Sequence, residues 1–419
     1  MENSAPQKDS RMTEANLNAQ KSDTTSSLTG NIRNSNVELL RLIAMFLIII
    51  HHFVYSTDRG AWITFESLSL NKFIFQIIFL SGGWIGNVIF FTISVWFLLD
   101  KHLTIKNSFK RIWLLEREML FWSLSLFALT IILKAVNLYE GNVIALAPKS
   151  MLPLSFDLWW YPTSYALFLL FLPYLSRGMQ SLGQSMHGVL AASLLCIWGV
   201  AAFIPKVEFN LDKPSVFIFI YLFILISYYK WYMKDFSNRT CILMVFVGLI
   251  INTICWLIAA VVSQYAAKIG TPINALYRLQ SYLQTRWSLT EIMIGFGIFL
   301  LFSRRIYYSK FINVLAASAF GAYLIHCYPS INRIWLTIVP ASQVYQSSWS
   351  IILGLLWPLA VFIICLLADL LRQGLFAITV NRNKGKWFEL FCSFVSRRIK
   401  RINQKHKQNQ GQHCKHSAN

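Results

Sequence analysis

"NSNVELLRLIAMFLIIIHHFVYS", residues 34–56, decides the class of this protein. The stretch is long and apolar enough to cross a bilayer, which takes roughly 17 to 25 residues of helix. It also carries Glu38 and Arg41 near one end and His51 and His52 past its middle. Hydrocarbon excludes such groups unless they face a cavity or the interior of a bundle. At about 100° per residue, positions eleven apart return to within roughly 20° of one face, about 16 Å further along the axis. Arg41 and His52 form such a pair, Glu38 lies one turn before Arg41, and His51 points about 80° away. Glu38 and Arg41 sit close enough to the helix end to snorkel to the interface as a pair. His52 lies about three turns deeper, where an ionisable group is either satisfied by a neighbour or at work.

The rest of the chain repeats the apolar theme. Of 419 residues, 56% are hydrophobic and 13% charged, with a mean hydropathy of +0.50, so the composition is that of a polytopic membrane protein. Apolar runs predict an all-α transmembrane bundle of about ten spans, near 37–56, 73–99, 112–134, 159–175, 188–204, 215–229, 241–263, 286–303, 311–330 and 349–372. A Gly-rich break, "SGGWIGN", interrupts the second. Most Lys and Arg fall in the two tails and the alternate loops 100–111, 176–187, 230–240 and 302–310, which makes that side, with both termini, cytoplasmic. Residues 1–36 read as a disordered polar tail without a secretory signal, 37–372 as the membrane domain and 373–419 as a basic tail. Within that tail "WFELFCSFV" followed by "RRIKR" suggests an amphipathic helix at an anionic membrane surface rather than a nucleic-acid contact. The seven cysteines show no metal-ligand spacing, so no metal is expected.

An Arg, ten residues and then a His in the first span resembles the opening helix of the integral-membrane acyltransferase 3 family, over "VELLRLIAMFLIIIHHFVY" (37–55). Three further stretches resemble later parts of that family in order: "GGWIGNVIFFTISVWFLL" (82–99), "DLWWYPTSYALFLLFLPYL" (157–175) and "AASAFGAYLIHCYP" (316–329). The resemblance implies a membrane-bound acyltransferase of the O-acetyltransferase type, taking an acyl group, usually acetyl, from cytoplasmic acyl-CoA (acetyl-CoA) to a hydroxyl of a cell-surface glycan or lipid-linked saccharide in a bacterial cytoplasmic membrane. In that light Arg41 suits a phosphate or a thioester carbonyl. His52 suits a general base toward the acceptor hydroxyl or, alternatively, an acyl-carrying nucleophile, with Glu38 beside Arg41 completing the set.

Two departures from the family pattern stand out. Ser94 is followed by Val95 where Ser-Gly is common, and a paired-Arg motif after the second span is only partly matched by Lys110 and Arg111, with Leu114 at the second Arg position. Lys110 and Arg111 remain candidate contacts to the coenzyme. The resemblance also places His326 and Tyr323 on the acceptor side, and Trp160 is a candidate platform for a sugar ring, although Trp is enriched at membrane interfaces in any case. Glu291 and Asp369 are expected to pair with neighbouring helices. The rival reading is a transporter or flippase of lipid-linked sugars that uses Arg41, His52 and Glu291 as substrate or proton-relay groups. A family member that binds glycan without acylating it is a third possibility, resting on the missing Gly at Val95.

Overall fold

A computed structural model describes residues 33–55, 58–101, 103–203, 215–270, 287–381 and 385–398. The expectations for residues 1–32, for most of the RRIKR run and for Cys414 lie outside these residues. Among the described residues there are helices and connections but no strand, as the apolar periodicity requires. We label the helices α1 (Ser35–Tyr55), α2 (Leu70–Leu98), α3 (Ile105–Ala135), α4 (Val143–Met151), α5 (Trp160–Leu194), α6 (Val216–Tyr232), α7 (Asn238–Lys268) and α8 (Leu289–Ser303). They continue as α9 (Lys310–Ala317), α10 (Ala319–His326), α11 (Pro329–Ile338), α12 (Ala341–Tyr345), α13 (Ser350–Ile378) and α14 (386–398).

Among the described residues each of the ten apolar windows falls mainly on helix, yet six elements are long and apolar enough to cross a membrane, or seven if the bent pair 310–326 and 329–345 is one span. The difference has three sources. The windows 159–175 and 188–204 count as one element because the backbone between them is helical except at Gly183, where a φ of 68° and a ψ of 177° kink it into two helices within the expected connection 176–187. A left-handed residue of this kind is tolerated there because glycine has no Cβ. Helices α6 and α8 are apolar but short. Finally, the window 311–330 ends at His326 and turns through 84° into α11.

The first helix is the axis of the bundle. It packs against α2, α8, α9, α10, α12 and α13. Its apolar window is 67% buried and that of α2 78%, against 17–33% for the other long helices, which therefore present most of their side chains outward, as lipid-facing helices do. Polar residues pin its start: Ser35 Oγ donates to Asn313 Oδ1 at 2.9 Å and accepts from the Ser309 amide at 2.7 Å, while Asn36 Nδ2 donates to the Phe302 carbonyl at 2.7 Å. Glu38 in the first turn favours the positive end of the helix dipole.

The Gly-rich segment of α2 turns out to be a packing device more than a break. A Cβ on Gly83 would run into the His51 ring, and one on Gly86 would stand 2.7 Å from the Ala44 carbonyl oxygen. The backbones of α1 and α2 thus approach closely through small residues, as helices in apolar surroundings do. The segment just before it, Ile74–Leu80, is π-helical, and its last carbonyl, Leu80, accepts from His51 Nδ1 at 2.5 Å.

Candidate active site

The two histidines of α1 have different environments. His51 is buried, bonded to the Leu80 carbonyl, edge-on to Trp84 at 4.4 Å between centroids and stacked on Tyr55 at 5.0 Å. It anchors α1 to α2. His52, on the Arg41 face, meets His326: its Nδ1 lies 2.9 Å from His326 Nε2.

The chain is bent so as to bring His326 there. Pro329 restricts the residue before it to extended backbone, and Tyr328 indeed has φ −66° and ψ 134°, so α10 must stop and turn. His326 closes α10 and Cys327 caps it at the corner. The corner is held from three sides: Trp335 Nε1 and Asn332 Nδ2 donate to the His326 carbonyl at 3.2 and 3.3 Å, Trp159 Nε1 donates to the Leu324 carbonyl at 3.1 Å, and the Tyr328 hydroxyl pairs with Ser150 Oγ at 2.8 Å.

Hydrogen-bond logic fixes the tautomers. His326 Nδ1 lies 2.7 Å from the Ala322 carbonyl oxygen, which only accepts, so Nδ1 carries the proton and Nε2 the lone pair. His52 Nδ1 must then be the donor across the 2.9 Å contact, which leaves the lone pair of His52 on Nε2. An imidazole whose other ring nitrogen is held by a second group keeps one tautomer and one orientation. Cys327 completes the cluster, with Sγ 3.2 Å from His326 Nε2 and 3.5 Å from His52 Nδ1. Residue spacing gave no hint of this triad, because its members are 274 and 275 positions apart in the chain.

Three turns toward the start of α1, Arg41 donates to Glu38 at 3.0 Å, and Glu38 also pairs with Arg33 at 3.1 Å. Arg41 lines a cleft of about 470 Å³ together with Ser94, Lys101, Arg111, Leu114, Glu118 and Tyr165. Arg111 lines the same cleft as Arg41, and its Nη1 is buried without a hydrogen-bond partner among the described residues. Lys110 is not brought there: it pairs with Glu389 of α14 at 3.2 Å. Lys101, which sequence reasoning missed, supplies a third cation. The departure at residue 95 falls behind the cleft wall, since Val95 is fully buried in the core while Ser94 faces the cleft.

Between the cleft and the histidines lies another residue that the sequence did not single out. The Tyr161 hydroxyl is buried without a hydrogen-bond partner among the described residues, and its ring lies 6.4 Å from Tyr165 of the cleft and 6.1 Å from Tyr323. Tyr323 in turn stands edge-on to His326, with ring centroids 5.8 Å apart. Trp160 contributes to an aromatic wall: its ring lies 6.4 Å from Trp287, Trp287 is 6.2 Å from Trp84, and Trp84 touches His51.

Asp369 and Glu291 pair with their surroundings as expected. Asp369 accepts from Trp122 at 2.9 Å and from Arg372 at 2.6 and 3.0 Å. Glu291 accepts from Ser288, Thr290 and, across to α7, Asn252.

A family model described as an acyltransferase domain matches residues 34–371, from the polar cap of α1 to the last turns of α13. No curated protein and no solved structure matches the chain. The matched span contains Glu38, Arg41, His52, the cleft, the aromatic wall and the His326 corner, together with all four stretches that carry the resemblance. The chain belongs to the acyltransferase 3 family and is a membrane acyltransferase.

Proposed function

We propose that this acyltransferase moves an acetyl group from cytoplasmic acetyl-CoA to a hydroxyl of a cell-surface glycan or lipid-linked saccharide, with His52 as the general base. The observation that carries the reading is the chain Ala322 carbonyl, His326, His52, which holds an imidazole lone pair about three turns from a cleft that gathers Arg41, Lys101 and Arg111. The cations suit the phosphates of the coenzyme, with Arg111 offering a buried donor that lacks a partner within the protein. Its thin pantetheine arm then spans the roughly 16 Å from Arg41 to His52, passing the Tyr161 hydroxyl.

In the transfer step the acceptor oxygen attacks the thioester carbonyl carbon while its proton moves to His52 Nε2. The tetrahedral intermediate collapses, the carbon–sulfur bond breaks, and the departing thiolate takes the proton from the imidazolium. His326 lowers the cost of the charged intermediate by accepting from Nδ1–H throughout. Arg41, held by Glu38, keeps its charge and aims it down the cleft. Trp160 and Tyr323 stand where an acceptor sugar would meet apolar faces and hydroxyl donors. The Lys and Arg of the two tails favour a cytoplasmic side for both termini, from which acyl-CoA would reach the Arg41 cleft in a bacterial membrane.

The test is transfer of label from radiolabelled acetyl-CoA to a cell-envelope glycan fraction by protein purified in detergent. His52→Ala and Arg41→Ala should each abolish transfer while the protein elutes as a folded particle. An intact thioester with wild-type protein, or undiminished transfer by His52→Ala, would sink the reading.

A further inference from the structure

His52, His326 and Cys327 place three metal-ligating atoms within 4.8 Å of one another. The edges of the triangle are 2.9 Å from His52 Nδ1 to His326 Nε2, 3.2 Å from Nε2 to Cys327 Sγ, and 3.5 Å from Sγ back to His52 Nδ1. A three-coordinate cation held about 2.0–2.1 Å from nitrogen and 2.3 Å from sulfur at trigonal angles separates such donors by roughly 3.5–3.8 Å. Each edge therefore needs to open by about 0.3–0.7 Å, within the reach of small ring rotations. His326 already has the second-shell bond that metal-bound imidazoles use, Nδ1–H to a backbone carbonyl, here Ala322 at 2.7 Å.

We propose that this triad binds a soft monovalent cation, copper(I), and that its occupancy switches off acyl transfer. The binding half stands on the geometry alone; the switching half rests on the function proposed above. Charge selects the valence. The groups that touch the triad, Tyr323 against the His326 ring and Asn332 and Trp335 on the His326 carbonyl, carry no formal charge, so one thiolate and one monovalent cation make an uncharged complex. A divalent ion would leave a net positive charge in an apolar interior, which is costly. Thiolate and imidazole donors are also the set that suits copper(I).

The proton count is definite. Cys327 loses its thiol proton to solvent, His326 binds through the Nε2 lone pair it already has, and His52 frees Nδ1 by moving its proton to Nε2. One proton leaves for each cation bound, and no atom changes oxidation state. The moved proton occupies the lone pair that the base needs, so a loaded site is a silent one.

The experiment uses full-length protein in detergent, anaerobic and reduced, competing for copper(I) against the chromophoric chelator bathocuproine disulfonate. X-ray absorption at the copper edge reads the ligands. Wild type is expected to hold one copper by two nitrogens and one sulfur, and Cys327→Ala and Cys327→Ser to bind at least 100-fold more weakly. Equal binding by Cys327→Ala, a sulfur-rich shell drawn from other cysteines, or zinc(II) held as tightly as copper(I) overturns the proposal. In the transfer assay, copper should lower wild-type turnover at least 100-fold, reversibly with chelator, and cause no further loss in Cys327→Ala; an active copper-loaded wild type overturns the switch. Copper bound by the triad without any acyl transfer would instead refute the proposed function and leave the site standing.

Discussion

Replacing His326 separates a positioning role from a merely structural one. In the folded chain His52 Nδ1–H donates to His326 Nε2 at 2.9 Å, deep in the bundle. His326→Leu keeps the volume of the site and removes the acceptor. The stranded donor then costs about 1–3 kcal/mol, unless the imidazole flips or moves its proton to Nε2 to escape that cost. Either escape withdraws the lone pair from the acceptor hydroxyl. At about 1.4 kcal/mol per decade, kcat/KM should fall roughly 5- to 150-fold, with KM for the acyl donor little changed because the cleft is three turns away. His326→Gln supplies a carbonyl oxygen that can accept from Nδ1–H, so it should recover most of that loss. The assay is steady-state acyl transfer by both variants, alongside thermal unfolding to confirm that they fold. A folded His326→Leu with wild-type kcat/KM, or a Gln variant as impaired as the Leu variant, would refute the tautomer argument.

Other outcomes follow from the same geometry. Arg111→Ala should raise KM for acyl-CoA by about 10-fold or more through loss of a charged hydrogen bond, whereas Lys110→Ala should leave it unchanged, since Lys110 faces Glu389 rather than the cleft; equal effects in donor titrations would contradict this assignment. Gly83→Val should lower the melting temperature in detergent by wedging α1 from α2, at a cost of about 1–3 kcal/mol or more, because its Cβ meets the His51 ring; an unshifted transition would show that α1 seats elsewhere. The Lys106 ammonium, and then Lys110, holds the Glu389 carboxyl below the usual carboxylate range. A lowered folded value means that the tie between α14 and α3 is present above the ordinary carboxylate pKa and is lost as pH falls through the lowered one. Hydrogen exchange over residues 386–398 should therefore rise in acid, and Glu389→Gln should show that faster exchange already at neutral pH.

Much was legible in the chain itself. Composition and apolar run length fix a helical membrane protein, because the bilayer leaves a backbone few other ways to satisfy its hydrogen bonds. The eleven-residue interval puts Arg41 and His52 on one face for any regular helix. The order of four short stretches pointed to the family that the match over residues 34–371 establishes. What the sequence could not supply is everything that depends on which helices touch. Run length does not register that the backbone stays helical through 176–187 apart from a kink at Gly183, or that the chain turns through 84° between His326 and Pro329. Charge alone did not separate Arg111, in the cleft, from Lys110, one residue away and facing α14. The meeting of His52 with His326 and Cys327 joins residues 274 and 275 positions apart, and no local pattern encodes a contact at that range. A one-dimensional period says which way a side chain leaves its own helix. Only packing decides what it meets, and here that decides which imidazole nitrogen keeps its lone pair.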